Sequence, residues 1–228
     1  MKKNNFFKQI LSGSLILALA VGFTSCKKDD VDETGSARIK VVNASSASNA
    51  QSVFLANNAI IQGGLAFSNS SDYITTNSGN NLNLEFRNEG STTAYASGRF
   101  DVDNGSSYTA FLAGDGQQAR VKLYKDDLAA PAGGQAKVRF VHLSDAAPAN
   151  VDIRRNSTTN LAANLARDNA SNFMNIEPGI LSLQVYAAGG TENLGTFDLS
   201  AFAEGKIYTV YITGSTAQNI TVRQITHN

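Results

Sequence analysis

Leu82-Asn83-Leu84-Glu85-Phe86-Arg87 alternates apolar and polar side chains at every step. A period of two puts Leu82, Leu84 and Phe86 on one face of an extended chain and Asn83, Glu85 and Arg87 on the other, the pattern of a strand half-buried in a sheet. The same alternation recurs at Ile39 and Val41, at Tyr108, Ala110 and Leu112, at Val138 and Phe140, and at Tyr208, Val210 and Ile212. Asn-Asn, Asn-Gly, Gly-Gly and Pro-Gly pairs separate the runs, and no segment after the N-terminal leader sustains a helical period. About seven strands per hundred residues is the pattern of an antiparallel β-sandwich, so the chain reads as all-β.

The pattern occurs twice. Ala37-Arg38-Ile39-Lys40-Val41-Val42-Asn43 matches Ala136-Lys137-Val138-Arg139-Phe140-Val141-His142, and Leu82-Asn83-Leu84-Glu85-Phe86 matches Leu181-Ser182-Leu183-Gln184-Val185. Tyr73 answers Phe173, and Gly105, Tyr108 and Gly114 answer Gly205, Tyr208 and Gly214. Two tandem sandwiches are expected, at 37–128 and 136–228, with 129–135 as a Pro- and Gly-containing linker. In each repeat a glycine stands three residues before Tyr108 or Tyr208. This resembles the tyrosine corner of immunoglobulin-like folds, in which the phenol bonds back to the chain while its ring packs in the core.

The N-terminus has the layout of a secretory signal over 1–25: Lys2, Lys3 and Lys8, then an apolar run from Ile10 to Gly22. The run falls short of the ~20 residues of a spanning helix. Thr24-Ser25-Cys26 resembles the lipobox of bacterial lipoproteins, with Phe23 in place of the usual Leu. The resemblance implies an acylated Cys26 holding the protein to a membrane. Residues 26–36, rich in charge and without apolar periodicity, read as a flexible tether. Lys27-Lys28-Asp29-Asp30 resembles the export signal of Bacteroidetes-type lipoproteins and implies an outer-membrane position facing the exterior, the periplasmic face being the alternative. Cys26 is the only cysteine, which excludes an internal disulfide and a thiolate metal cluster. Without the three leader lysines the chain carries 16 basic and 19 acidic residues, a net charge of −3. No basic field is left to hold nucleic acid.

Val138-Arg139-Phe140-Val141-His142-Leu143-Ser144-Asp145-Ala146-Ala147-Pro148-Ala149-Asn150-Val151-Asp152-Ile153 resembles the motif of domain-of-unknown-function family 4397. The first repeat matches through Gly63-Gly64-Leu65-Ala66-Phe67 and Asp72-Tyr73-Ile74-Thr75 but lacks the motif's Asp and Pro. The resemblance implies two copies of an exported, immunoglobulin-like β module, often lipid-anchored, with no assigned reaction. His142, Ser144, Asp145, Pro148 and Asp152 are its motif positions here.

His142, Ser144 and Asp145 suggest a hydrolytic triad, but on one strand and its turn they diverge where a triad must converge. Ser144 and Asp145 are expected to bond turn amides, and Pro148 to set the entry to the next strand. Asp101, Asp103, Asp145 and Asp152 lack the dense alternation of a calcium loop, and no phosphate loop or Cys/His zinc set is present. No cofactor or metal is therefore expected. The expected function is a non-enzymatic, lipid-anchored envelope protein presenting its sandwiches for binding, adhesion or assembly with envelope proteins or glycans. The alternatives are a hydrolase of glycans or esters with paired carboxylates and a structural spacer. Tryptophan is absent, so sugar stacking would fall to Tyr95, Tyr124 and Tyr186 if exposed.

Overall fold

The computed structural model describes residues 35–216 and 219–228. The leader, Cys26 and nearly all of the expected tether lie outside the described residues. Among the described residues, sixteen strands form four four-stranded sheets, and no helix is long and apolar enough to cross a membrane. The first eight strands are β1 (Ser36–Asn43), β2 (Gln51–Leu55), β3 (Asn58–Leu65), β4 (Ile74–Asn77), β5 (Gly79–Asn88), β6 (Ala96–Val102), β7 (Ser107–Ala113) and β8 (Arg120–Lys125). They form the sheets β4-β1-β7-β8 and β3-β2-β5-β6. Next come β9 (Ala136–His142), β10 (Asn150–Arg154), β11 (Asn160–Ala166), β12 (Met174–Ile176), β13 (Ser182–Ala187), β14 (Asn193–Asp198), β15 (Ile207–Thr213) and β16 (Thr221–Thr226). Their sheets, β12-β9-β15-β16 and β11-β10-β13-β14, repeat the first order strand for strand. β1 takes in Ser36, the last residue assigned to the tether.

The expected antiparallel pairing fails once in each half, where β1 runs parallel to β7 and β9 parallel to β15. A parallel pair needs a long crossover, and the chain between β1 and β7 supplies it by building the facing sheet. The two strands then start at the same end, where Gly105 N donates to Ser36 O at 2.7 Å.

Each half buries its own apolar layer. Ile39, Val41, Ala110 and Leu112 meet Leu84 and Phe86; Val138, Phe140, Val210 and Ile212 meet Leu183 and Val185. The central strands are also covered on the opposite face, so that β7, β9 and β15 are buried at every position. The reason is a third apolar layer, in which Val42, Ala44, Phe111 and Ala113 of the first half pack on Val141, Leu143, Tyr211 and Ile225 of the second. Four sheets therefore stack in series around three cores, and the described residues make one compact unit. Phe111 and Tyr211 hold equivalent places in the repeat and meet edge to face at 5.3 Å. Equivalent residues that touch each other mark an isologous, approximately two-fold contact.

Both halves point the same way. Thr213 Oγ1 donates to Ala44 O at 2.5 Å near the ends of β15 and β1, while the strand starts, the 126–135 connection and Asn228 gather at the other end. Gly114 and Gly214 (φ +68° and +126°) turn the two closing hairpins; a Cβ there would come within 2.3 Å of Gln118 O or 2.4 Å of Asn219 O.

Tyr108 Oη accepts from Asp103 N at 3.0 Å, and Tyr208 Oη from Ala203 N at 2.9 Å. Both rings are 5% exposed, which places them in the sandwich cores. Tyr108→Phe and Tyr208→Phe each strand one backbone N–H, a loss of about 1 kcal/mol. For a chain of this size that lowers Tm by ~2–4 °C, to be read from thermal melts followed by circular dichroism.

Candidate functional site

The motif residues of the second half are placed as turn supports. His142 is fully buried. Its Nε2 donates to Pro148 O at 2.9 Å and its Nδ1 accepts from Ser144 N at 3.3 Å. Asn43, its counterpart in the first repeat, accepts from Ser45 N through Oδ1 in the same way. Burial holds His142 below its ordinary pKa, against the pull of the Pro148 carbonyl. Ser144 Oγ donates to Gly214 O and accepts from Ala146 N and Ala147 N. Asp145 differs from expectation: its carboxylate pairs across the halves with Arg120 Nη1 at 2.8 Å, because Arg120 also reaches Asp168 at 2.8 Å and so pins both turns to β8. Asp152 accepts from Asn164 N and Gly189 N and pairs with Arg154. Burial raises its pKa, but these donors outweigh it and the net shift is downward.

The remaining carboxylates and tyrosines named from sequence disperse. Asp101 accepts from Asn81 N, and Asp103 pairs with Lys125. Among the described residues no group of three or more His, Cys, Asp or Glu side chains is placed to hold a metal ion. Tyr186 is 4% exposed beneath the Arg154 guanidinium, Tyr95 Oη accepts from Gly116 N, and Tyr124 Oη donates to Asp168 O across the halves. Tyr186 is thus covered, while Tyr95 and Tyr124 are half-buried and held by their hydroxyls.

The seam between the halves holds a polar cluster that sequence reading missed. Arg139 of β9 is 2% exposed, and its guanidinium donates to Asp126 at 2.5 Å, to Lys125 O at 2.8 Å and to Thr209 Oγ1 at 2.9 Å. Asp126 has a fully buried side chain. It also accepts from Thr109 at 2.8 Å and Tyr73 at 2.7 Å. His227 lies 2.7 Å from both Thr209 Oγ1 and Tyr73 Oη. Donor direction fixes its tautomer. The Asp126 carboxylate can only accept, so Tyr73 gives it its one proton and accepts from His227 Nδ1–H, which leaves Nε2 to accept from Thr209. Arg139, Thr209, His227, Tyr73 and Asp126 thus close a ring drawn from both halves, in which two donor paths run from Arg139 to Asp126, one direct and one through the other three. Asp126 and His227 occupy equivalent places after β8 and β16, a pairing visible only once the repeats face each other.

Burial pushes Asp126 upward in pKa, against the pull of Arg139, and draws Arg139 downward. It also pulls His227 from 6.5 to about 3, helped by the nearby Arg139 and Lys40 charges. Unfolded His227 therefore gains a proton near pH 6.5 that the folded residue refuses until about pH 3. Its contribution to stability is complete above pH 6.5 and is lost on acidification through that window, by up to ~1.4 kcal/mol per pH unit. Urea unfolding at pH 7 and pH 5 should show that loss in the native chain and a shallower one in His227→Gln.

Beside this ring a cleft of about 540 Å³ opens between the halves, lined by Leu123, Tyr124, Lys125 and Asp127 on one wall and by Arg139 and the segment from Ala170 to Phe173 on the other. Its charges are paired, Arg139 with Asp126 and Lys137 with Asp127 across the two walls and Lys125 with Asp103 on one of them. Arg139 and Lys137 both sit over the Phe173 ring, at 4.9 and 5.3 Å from its centroid.

A family model described as Domain of unknown function (DUF4397) matches residues 37–154, which is 118 of the 228 residues. The match takes in β1 to β10. No curated protein matches the chain significantly. Among solved structures, a carbohydrate-binding module of family CBM26 from Eubacterium rectale, determined with maltoheptaose, aligns with a TM-score of 0.27 at 10% identity, over 82% of this chain and 95% of its own. A proposed cell adhesion protein from Bacteroides eggerthii aligns with a TM-score of 0.22 at 11% identity, over 87% and 97%. Alignments this loose carry no argument about a ligand for this chain.

Proposed function

The chain belongs to the DUF4397 family, and from that premise we propose that it is a non-enzymatic envelope lipoprotein: two tandem immunoglobulin-like sandwiches, tethered through an acylated Cys26, that bind a partner. The observation that carries this reading is the seam. Two repeats that could have hung as separate beads are joined into one body, and the joint leaves a cleft that neither half has alone. A non-catalytic role is supported by the two histidines, since each spends both ring nitrogens on bonds that hold turns or strands in place. A tether that enters at Gly35 reaches the body at the end where the connection and the C-terminus lie, leaving the turns around Ser45, Asp115 and Asp145 to face away from the membrane. The cell exterior is the proposed setting.

Purified residues 27–228 should be retained on arrays of glycans, matrix proteins or outer-membrane proteins. Absence of retention on all three, with partners co-purifying from intact membranes, would assign the spacer role instead. Cys26→Ser should shift the protein from the membrane pellet to the soluble fraction without changing its circular dichroism; Cys26→Ser protein that stays in the pellet after detergent-free washing would remove the anchor from the proposal.

A further inference from the structure

The seam is nearly two-fold, and the cleft marks one place where that symmetry is broken. In one copy of the contact, Tyr73 bonds Asp126 of its own half and reaches across to His227 at 2.7 Å, which ties the loop before β4 to the opposite half. In the other copy the equivalent residue is Phe173, which has no hydroxyl to bridge with, and here the walls, joined by Arg139 to Lys125 O and by Lys137 to Asp127, leave a cleft of about 540 Å³ between them. That volume lies within the ~300–1,000 Å³ typical of small-molecule sites.

The lining selects a class of ligand. The Arg139 guanidinium has five N–H groups; bonds to Thr209, Lys125 O and Asp126 use three, which leaves one donor on each terminal nitrogen in a side chain that lines the cleft. Asn172 adds an exposed amide, both donor and acceptor, and Asp127, 60% exposed, adds acceptor oxygens. An anion would compete with Asp126 and Asp127 for cations already paired, and a cation would compete with Lys137 and Arg139. An apolar body would cover these polar groups without bonding them, at a cost of ~1–3 kcal/mol for each group left unsatisfied. A neutral molecule with closely spaced hydroxyls meets all three, accepting from Arg139 and Asn172 and donating to Asp127. The Phe173 ring already carries two cations, Arg139 at 4.9 Å and Lys137 at 5.3 Å from its centroid. We propose that this cleft is a binding site for a neutral saccharide unit, held by hydrogen bonds rather than by aromatic stacking. The inference rests on the binding role proposed above and names its ligand class.

The test is a titration of the ¹⁵N-labelled mature chain with neutral disaccharides (maltose, cellobiose and lactose) and with galacturonic acid as the anionic arm. The expected result is saturable shifting of the Arg139 Nε–H and Asn172 side-chain amide signals with at least one neutral sugar. Asn172→Ala should weaken that binding about tenfold, the ~1.4 kcal/mol of one hydrogen-bonded contact, and Asn172→Trp, which fills the cleft from an exposed position, should abolish it with an unchanged melting temperature. Phe173→Tyr, which restores the bridging hydroxyl, is the second closing variant if Asn172→Trp fails to fold. Galacturonic acid binding alone, no saturable shift with any neutral sugar, or binding that survives both closing variants would overturn the site. If the sugar titration fails, retention of a protein partner by the same variants would leave the broader binding role standing.

Discussion

Neither half of this chain is expected to hold a native fold when produced alone. Cutting within 129–135 exposes the layer formed by Val42, Ala44, Phe111 and Ala113 on one side and Val141, Leu143, Tyr211 and Ile225 on the other, all of them 6% exposed or less in the intact chain. Burying one large apolar side chain contributes roughly 1.5–3 kcal/mol. The layer as a whole is thus comparable with the ~5–15 kcal/mol that stabilises an entire domain. The cut also strands polar groups: Arg139 and His227 lose Asp126 and Tyr73, and Arg120 loses Asp145 and Asp168. Each half should show broad amide spectra and bind hydrophobic dye, and mixing the two should restore dispersed spectra. A half that melted cooperatively near the temperature of the intact chain would contradict the third core.

Arg139→Ala should be the most damaging single polar substitution, at about 3–5 kcal/mol. The fully buried Asp126 side chain would lose its cation, and Thr209 would lose the donor that orients its proton toward His227. Asp126→Ala should cost a similar amount from the other side. Arg139→Lys should fall in between, because one ammonium cannot serve the three divergent acceptors that the guanidinium reaches. Replacing both partners, as in Arg139→Met with Asp126→Leu, should cost less than the two single changes added, since no unpaired charge is left; Tyr73, Thr109 and Thr209 would still lack partners, so recovery is partial. Urea unfolding of Arg139→Met, Asp126→Leu, their double variant and the native chain gives the coupling energy directly. Additive losses would mean that the pair does not act as a unit.

The alternation at Leu82, Leu84 and Phe86 made the outer sheets legible from sequence, because those strands keep one wet face. The inner sheets were harder to read. Lys40 and Arg139 alternate with Ile39, Val41, Val138 and Phe140 as if they faced water, yet they are 6% and 2% exposed because a second half covers that face. The signal lay in Ser107-Tyr108-Thr109-Ala110-Phe111-Leu112-Ala113 and its counterpart Ile207-Tyr208-Thr209-Val210-Tyr211-Ile212-Thr213, whose nearly unbroken apolar character suits strands buried on both sides. Motif spacing drew attention to His142 and Asp145, which support turns. The residues that join the halves, Tyr73, Asp126, Arg139 and His227, are separated by up to 154 positions, and no local pattern links them. Their proximity depends on the strand order and on the two-fold contact, neither of which a single sequence displays.

In this chain two repeats make one cooperative body. Hydrogen exchange followed by mass spectrometry through a urea series tests it most directly, because peptides from β1 and β7 report the first half and peptides from β9 and β15 the second. All four are expected to lose protection together, at one midpoint that Arg139→Ala lowers for both halves equally. Two midpoints, with one half exchanging while the other stays protected, would contradict it.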